Sequence, residues 1–217
     1  MTQDSLKTKI FNSAWQIVET EGMDRLTVTG IAELSSCSLG AVYSVFDNFQ
    51  DLQLRINAGI LSTLFTIFNK TVEKALKKHK SFKELLKALA FAYIEFGQKH
   101  SFLWKAVFEH LPTAPFPFWY AKHSHEEAYL LSKKLAKTFQ IPELEIKRIL
   151  SFFWASIHGI CSILLNKKLE TINEFFSADI HLSPYIDYCL EGLFPQELKP
   201  QKGHLSMETS SNDLIRK

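Results

Sequence analysis

The segment that most constrains the fold runs from Leu26 to Leu52 and reads LTVTGIAELSSCSLGAVYSVFDNFQDL. Thr27 is a favourable N-cap residue, and the apolar residues that follow it recur at helical spacing, so a helix of about two turns is predicted to begin there. The cluster of serines around Cys37 competes for backbone hydrogen bonds and predicts a tight turn. The apolar pattern restarts at Leu39, which indicates a second short helix.

This second helix is predicted to have two different faces. Val42, Val45 and Phe46 form an apolar face, which leaves small residues and one tyrosine on the opposite side, and we expect the helix to end at Asp47 and Asn48. Two short helices joined by a tight turn are the geometry that places a recognition helix in the major groove of DNA. The residues predicted to contact DNA are Thr27, Thr29, Ser38, Leu39, Gly40, Ala41, Tyr43, Ser44 and Asn48, with Thr27 at a phosphate.

The order and spacing of several short signals resemble the N-terminal domain of TetR-family transcriptional regulators, over roughly residues 7 to 54. The resemblance implies a homodimer that binds a palindromic DNA operator, and repression is the expected sign of regulation. It also implies that an apolar small-molecule effector binds in the body, the part of the chain that follows the N-terminal domain. Binding of the effector is expected to release the DNA. The residues that carry the resemblance are Glu21-Gly22, Leu26-Thr27-Val28, Ile31-Ala32, Ser38-Leu39-Gly40-Ala41-Val42-Tyr43, Phe46 and Leu52.

The charge of the first 50 residues leaves an alternative open. Three basic residues, Lys7, Lys9 and Arg25, stand against six acidic ones, which gives a net charge of −3 where DNA-binding domains are usually basic. Phe49 also stands where members of the family usually have a lysine. The alternative is a TetR-shaped protein that binds a ligand or a protein partner and has little affinity for DNA.

The rest of the chain is predicted to be helical as well, which makes the fold class all-α. Proline-rich loops and capping residues separate the segments, and a chain of 217 residues can bury a sizeable core. The predicted helices are 5–21, 50 to about 76, 82 to about 97, 101–109, 118–139 and 144–165, with one or two short helices in 167–193. The predicted domains are a helix-turn-helix domain in 1–50, a ligand-binding and dimerisation body in 51–193, and a poorly ordered tail in 194–217.

Small residues repeat along the segment 144–165. Ser151, Ala155 and Gly159 are four residues apart and Ser162 follows, so these side chains form one stripe on which a second copy of the helix can pack. The segment also lacks charge between Arg148 and Lys167, but its serines and a histidine favour a buried helix over a membrane span. We therefore expect a homodimer and no membrane partner.

Two features of the body point to a ligand site. Trp154, His158 and Gly159, spaced as WxxxHG, resemble the motif of the WHG-type C-terminal domain of TetR regulators. Bodies of this family usually enclose an apolar cavity with a few polar anchors. The predicted ligand-binding residues are Trp104, Phe108, Phe116, Trp119, Tyr120, Trp154 and His158, with His110 as a further polar candidate. The alternative is that the aromatic residues are ordinary core and that His158 is only hydrogen-bonded in place.

The sequence lacks the motifs of common catalytic and metal sites, including CxxC, HExxH, GxSxG and a phosphate-binding glycine loop. We therefore expect no enzyme, no cofactor and no metal, with turnover at His158 or His110 as a weaker alternative. Three scattered cysteines, Cys37, Cys161 and Cys189, and the lack of an apolar leader favour a cytoplasmic protein with reduced thiols.

Overall fold

A computed structural model of the protein describes residues 3–110, 115–166 and 182–194. All regular structure in these ranges is helical, which confirms the predicted all-α class. The helices are α1 (Gln3–Glu21), α2 (Val28–Leu34), α3 (Leu39–Tyr43), α4 (Phe49–Lys77), α5 (Phe82–Lys99), α6 (Ser101–Phe108), α7 (Phe118–Phe139), α8 (Glu143–Leu165) and α9 (Leu182–Leu193), with a 3-10 turn at Met23–Arg25.

Helix α1 is held by one apolar stripe. Ile10, Ala14, Ile17 and Val18 are all buried, as their spacing predicts for the core-facing side of an amphipathic helix. The helix ends at Gly22, whose φ of 94° is a left-handed conformation that a residue with a Cβ atom rarely adopts. The chain then turns into the short helices that complete the N-terminal unit, α1 to α3.

Side-chain caps fix both helices of the predicted helix-turn-helix. The Thr27 hydroxyl accepts the Gly30 N–H at 3.1 Å, and the Ser38 hydroxyl accepts the Ala41 N–H at 3.2 Å. The apolar pattern predicted that α3 would continue to Asp47, but the helix ends at Tyr43. Val45 and Phe46 are nevertheless buried, in the turn between α3 and α4, so their apolar character reflects packing and not a longer helix.

Helix α4 joins the N-terminal unit to the body, α5 to α9. Asn48 caps it, accepting the Asp51 N–H at 2.8 Å, and it then runs without interruption for 29 residues. It packs on α1 at one end and on α5, α6 and α7 further along. The predicted boundary between residues 50 and 51 lies in the first turn of this continuous helix.

The body helices begin and end close to their predicted positions. At the start of α5, Ser81 and Glu84 form a reciprocal capping box, and the predicted apolar stripe of the helix is buried. Lys87 of α5 forms an ion pair of 2.7 Å with Asp187 of α9. The short helices predicted in 167–193 are represented by α9. Residues 167–181 and the tail from residue 195 lie outside the described residues.

Helix α8 is buried on one face only. Ile146, Ile149, Phe153, Ile157 and Cys161 are buried against the body, whereas only 17% of its most apolar 18-residue window is buried within the chain. The single chain therefore leaves the outer face of α8 open, and this is the face on which a second copy is predicted to pack. By length and composition this helix could cross a membrane, but core helices of soluble proteins have the same properties.

Candidate functional site

The outer face of α3 is open to solvent. Tyr43 is 60% exposed and Leu39 is 49% exposed, whereas Val42 of the same helix is buried. Gly40 is also exposed, and a Cβ atom there would come no closer than 3.9 Å to the nearest described side-chain atom, that of Ser38. The exposed face therefore presents one large aromatic side chain, that of Tyr43, beside the small residue Gly40.

The other predicted DNA-contacting residues surround this face. Thr29, Ser44 and Asn48 are exposed, while Ala41 is half-buried. The hydroxyls of Thr27 and Ser38 accept backbone N–H groups as caps, and each retains a proton that it can donate outward. The structure therefore brings eight of the nine residues to the surface of α2, α3 and the following turn. Residues 26–48 contain no lysine or arginine, so contacts from this face to phosphates would come from neutral groups.

The predicted dimer stripe lies on the outer face of α8. Ser151 and Ala155 are exposed, and Gly159 and Ser162 are half-buried. A Cβ atom at Gly159 would meet no described atom within 4 Å. Phe152 and Trp154 flank the stripe and are 59% and 47% exposed, so the outer face of α8 presents large apolar side chains beside the small ones.

Four of the seven predicted ligand residues meet between α6 and α8. The Trp104 ring is fully buried and stacks on His158 at a centroid distance of 5.0 Å and an angle of 22°. Phe108 and Trp154 lie against the same imidazole, at 5.2 and 5.0 Å. The hydroxyl of Tyr93, on α5, is hydrogen-bonded to His158 Nδ1 at 2.7 Å. This hydrogen bond matches the alternative in which His158 is held in place by its neighbours.

We call these five residues the aromatic cluster. Sequence reasoning placed Tyr93 in the core stripe of α5 and missed its part in the cluster. Burial raises the pKa of the Tyr93 hydroxyl, so it stays protonated at neutral pH. Trp104 Nε1 is buried without a hydrogen-bond acceptor among the described residues, which is costly for a polar group.

Burial also lowers the pKa of His158 below its usual 6.5, against the opposing effect of the Glu109 carboxylate. Below pH 6.5 the unfolded chain takes up a proton at His158 more readily than the folded chain does. The folded state should therefore lose stability as the pH falls, an effect absent well above pH 6.5. We expect His158→Asn to reduce the drop in the thermal unfolding midpoint between about pH 7.5 and about pH 5, measured at equal protein concentration. If the unfolding midpoint of His158→Asn falls as far as that of the wild type, the pH dependence does not arise from His158.

The remaining predicted ligand residues form a separate group at the start of α7. Phe116 stacks on Tyr120 at 5.1 Å, and Trp119 meets Tyr120 edge-on at 5.7 Å. No ring contact between described residues joins this group to the aromatic cluster. His110 lies apart from both, with its Nδ1 atom 3.6 Å from the Asp24 carboxylate in the 3-10 turn.

The described residues thus define a class of protein: a helix-turn-helix unit joined by one continuous helix to a helical body with an open outer face. Comparison of the sequence with models of protein families and with curated proteins found no match. Solved structures are similar, however.

A protein of unknown function from Rhodococcus sp. RHA1 is 19% identical, with a TM-score of 0.65 over 88% of this chain and 94% of that one. SCO4313, a presumed regulatory protein, is 16% identical, with a TM-score of 0.61 over 89% and 97%. A TetR-family transcriptional regulator, HI0893 of Haemophilus influenzae RD, is 16% identical, with a TM-score of 0.56 over 87% and 96%. The resemblance to the TetR family is confirmed at the level of the fold.

Proposed function

We propose that this protein is a DNA-binding transcriptional regulator that contacts its operator through the outer face of α3. The observation that carries the proposal is the exposure of Tyr43 and Leu39 on a short helix whose opposite side is locked into the core. A helix held in this way by a preceding helix and a tight turn can enter a major groove. The fold shared with a TetR-family transcriptional regulator supports the same function.

The protein acts as a homodimer, with α8 of each protomer in the interface. The exposed apolar side chains Phe152 and Trp154 and the open stripe around Gly159 support this arrangement. Pairing through a twofold axis presents two α3 helices to a palindromic operator, with half-sites about one helical turn, ~34 Å, apart. The free thiols of Cys37, Cys161 and Cys189 fit a cytoplasmic regulator.

Regulation is repression that an apolar effector relieves by binding in the body. The aromatic cluster supports such a site, because Trp104 Nε1 is a buried donor that an acceptor on a ligand could satisfy. The group around Phe116, Trp119 and Tyr120 is the other candidate for contact with the effector. Effector binding would change the angle of α4 and hence the position of α3.

The proposal is tested by mixing the purified protein with fragments of its host genome and sequencing the fragments it retains. We expect a small set of fragments that share an inverted repeat. If no fragment is enriched over a column without protein, the second candidate function applies, namely a ligand- or partner-binding protein of the same fold. The lack of lysine and arginine in residues 26–48 favours that candidate.

Tyr43→Ala should abolish the gel shift of an enriched fragment. The substitution removes the largest side chain from the exposed face, and each lost contact to a base costs about 1–3 kcal/mol per protomer. Tyr188→Ala, on α9, is the matched control, because Tyr188 is also exposed, at 72%. The Tyr43→Ala variant should remain a dimer, and its midpoint of thermal unfolding should equal that of the wild type. Retained binding by Tyr43→Ala would remove this residue from the interface.

A further inference from the structure

A groove separate from the aromatic cluster lies where the N-terminal unit meets the body. Its volume is about 570 Å³, within the range of small-molecule sites. Helix α1 forms one wall, α4 forms the floor, and the start of α7 forms the opposite wall. The side chains that matter for binding are Lys7 and Phe11 of α1, Phe46, Arg55 of α4, and Trp119 and His123 of α7.

The described walls of the groove are largely aromatic, and its charged side chains, Lys7 and Arg55, are both basic. Among the described residues, no acidic one belongs to the lining. The Lys7 ammonium lies 5.5 Å from the centre of the Phe46 ring, and the Arg55 guanidinium lies 5.1 Å from that of Trp119. Both cations therefore sit beside flat apolar surfaces, so one ligand could contact a ring and a cation together.

Arg55 and Lys7 differ in whether a carboxylate already neutralises their charge. Arg55 Nε donates to Asp51 Oδ2 at 2.8 Å, and Asp51 is buried behind it on α4. Lys7 makes no ion pair with a described residue. His123 Nε2 lies 3.0 Å from the Ser62 hydroxyl, so this nitrogen already has a hydrogen-bond partner. Lys7 is thus the group that would gain most from a bound anion.

We propose that this groove binds a small amphipathic anion, a flat aromatic acid whose ring lies between Phe11 and Trp119 and whose carboxylate pairs with Lys7. The apolar walls supply the area for burial, and the Lys7 ammonium, which has no ion pair with a described residue, selects for negative charge. Such a ligand would bridge α1 and α7. Because Trp119 also belongs to the second candidate effector group, this proposal deepens that part of the proposed function. It does not depend on DNA binding or on an effector in the aromatic cluster.

The test compares two probes of nearly the same shape, 2-naphthoate and the neutral 2-naphthalenemethanol, by isothermal titration calorimetry on the full-length protein. The wild-type protein should bind the carboxylate at least about tenfold more tightly than the alcohol. Lys7→Gln should remove this preference and leave the affinity for the alcohol unchanged. Lys9→Gln is the matched control, because Lys9 is an exposed lysine of the same helix outside the groove.

Trp119→Leu, which removes an apolar wall, should weaken both probes about equally. Trp154→Leu should weaken neither, because Trp154 belongs to the aromatic cluster. Equal affinity of the two probes for the wild type, or an unchanged preference in Lys7→Gln, would overturn the proposal. A loss of probe affinity seen only in Trp154→Leu would also overturn the proposal. It would place the probe in the aromatic cluster, where the proposed function places the effector.

Discussion

Gly159→Arg is expected to convert the proposed dimer into a monomer. The stripe around Gly159 can pack against a second copy only if its side chains stay small, and arginine would place two unpaired charges in the twofold interface. Leaving a charge buried without a partner costs about 3–5 kcal/mol, which corresponds to a dimer weaker by roughly a hundredfold to four-thousandfold. Sedimentation equilibrium over a range of protein concentrations measures the change.

The same substitution should leave the fold of each chain intact. A Cβ atom at Gly159 would meet no described atom within 4 Å, and replacing glycine inside a helix favours the helical state. Gly192→Arg is the matched control, because a Cβ atom at Gly192 of α9 would also meet no described atom within that distance. A dimer that persists in Gly159→Arg, with the circular dichroism of both variants native, would exclude this face of α8 as the interface.

Trp104→Ala is expected to produce the largest loss of stability. The side chain is fully buried and packs against Tyr93, Phe108 and His158, so its removal leaves a cavity at the junction of α5, α6 and α8. Such substitutions of buried aromatic residues lower the free energy of unfolding by about 3–5 kcal/mol. Urea unfolding at a fixed protein concentration measures the loss, because dimerisation makes apparent stability depend on concentration.

Trp154→Ala serves as the comparison for this prediction. Trp154 belongs to the same cluster but is 47% exposed in the single chain, so its truncation should cost clearly less. Equal losses in the two variants would mean that Trp154 is buried in the protein as it exists in solution. That result would contradict the prediction that Trp154→Ala costs less stability than Trp104→Ala. It would indicate that the partner protomer covers α8.

The longer helices were predictable because each has an apolar stripe, and α2 to α5 also begin at a capping side chain. Thr27 was the signal for the start of α2, and the structure contains its cap. Ser38, predicted only as part of the turn, caps α3, and Ser81 caps α5. The end of α3 was not predictable from periodicity, because Val45 and Phe46 continue the apolar pattern beyond the last helical residue. A buried turn and a helix can require the same apolar residues.

The candidate sites were less predictable because they depend on contacts between distant segments. The hydrogen bond between Tyr93 and His158 joins residues 65 positions apart, and no local pattern indicates it. The groove brings together Lys7, Arg55 and Trp119, which are unremarkable within their own helices. By contrast, the stripe along α8 is a property of one helix, and its small residues were therefore visible in the sequence.

Helix α4 has a geometric consequence for how the two ends of the chain can communicate. At 1.5 Å per residue, its 29 residues span about 43 Å, so a pivot of only about 5° at the body end swings the Asn48 end through roughly 4 Å. A shift of that size in each protomer is large beside the length of a hydrogen bond. In the proposed regulator, a helix of this length would turn small rearrangements of packing into a mismatch with a duplex of fixed pitch.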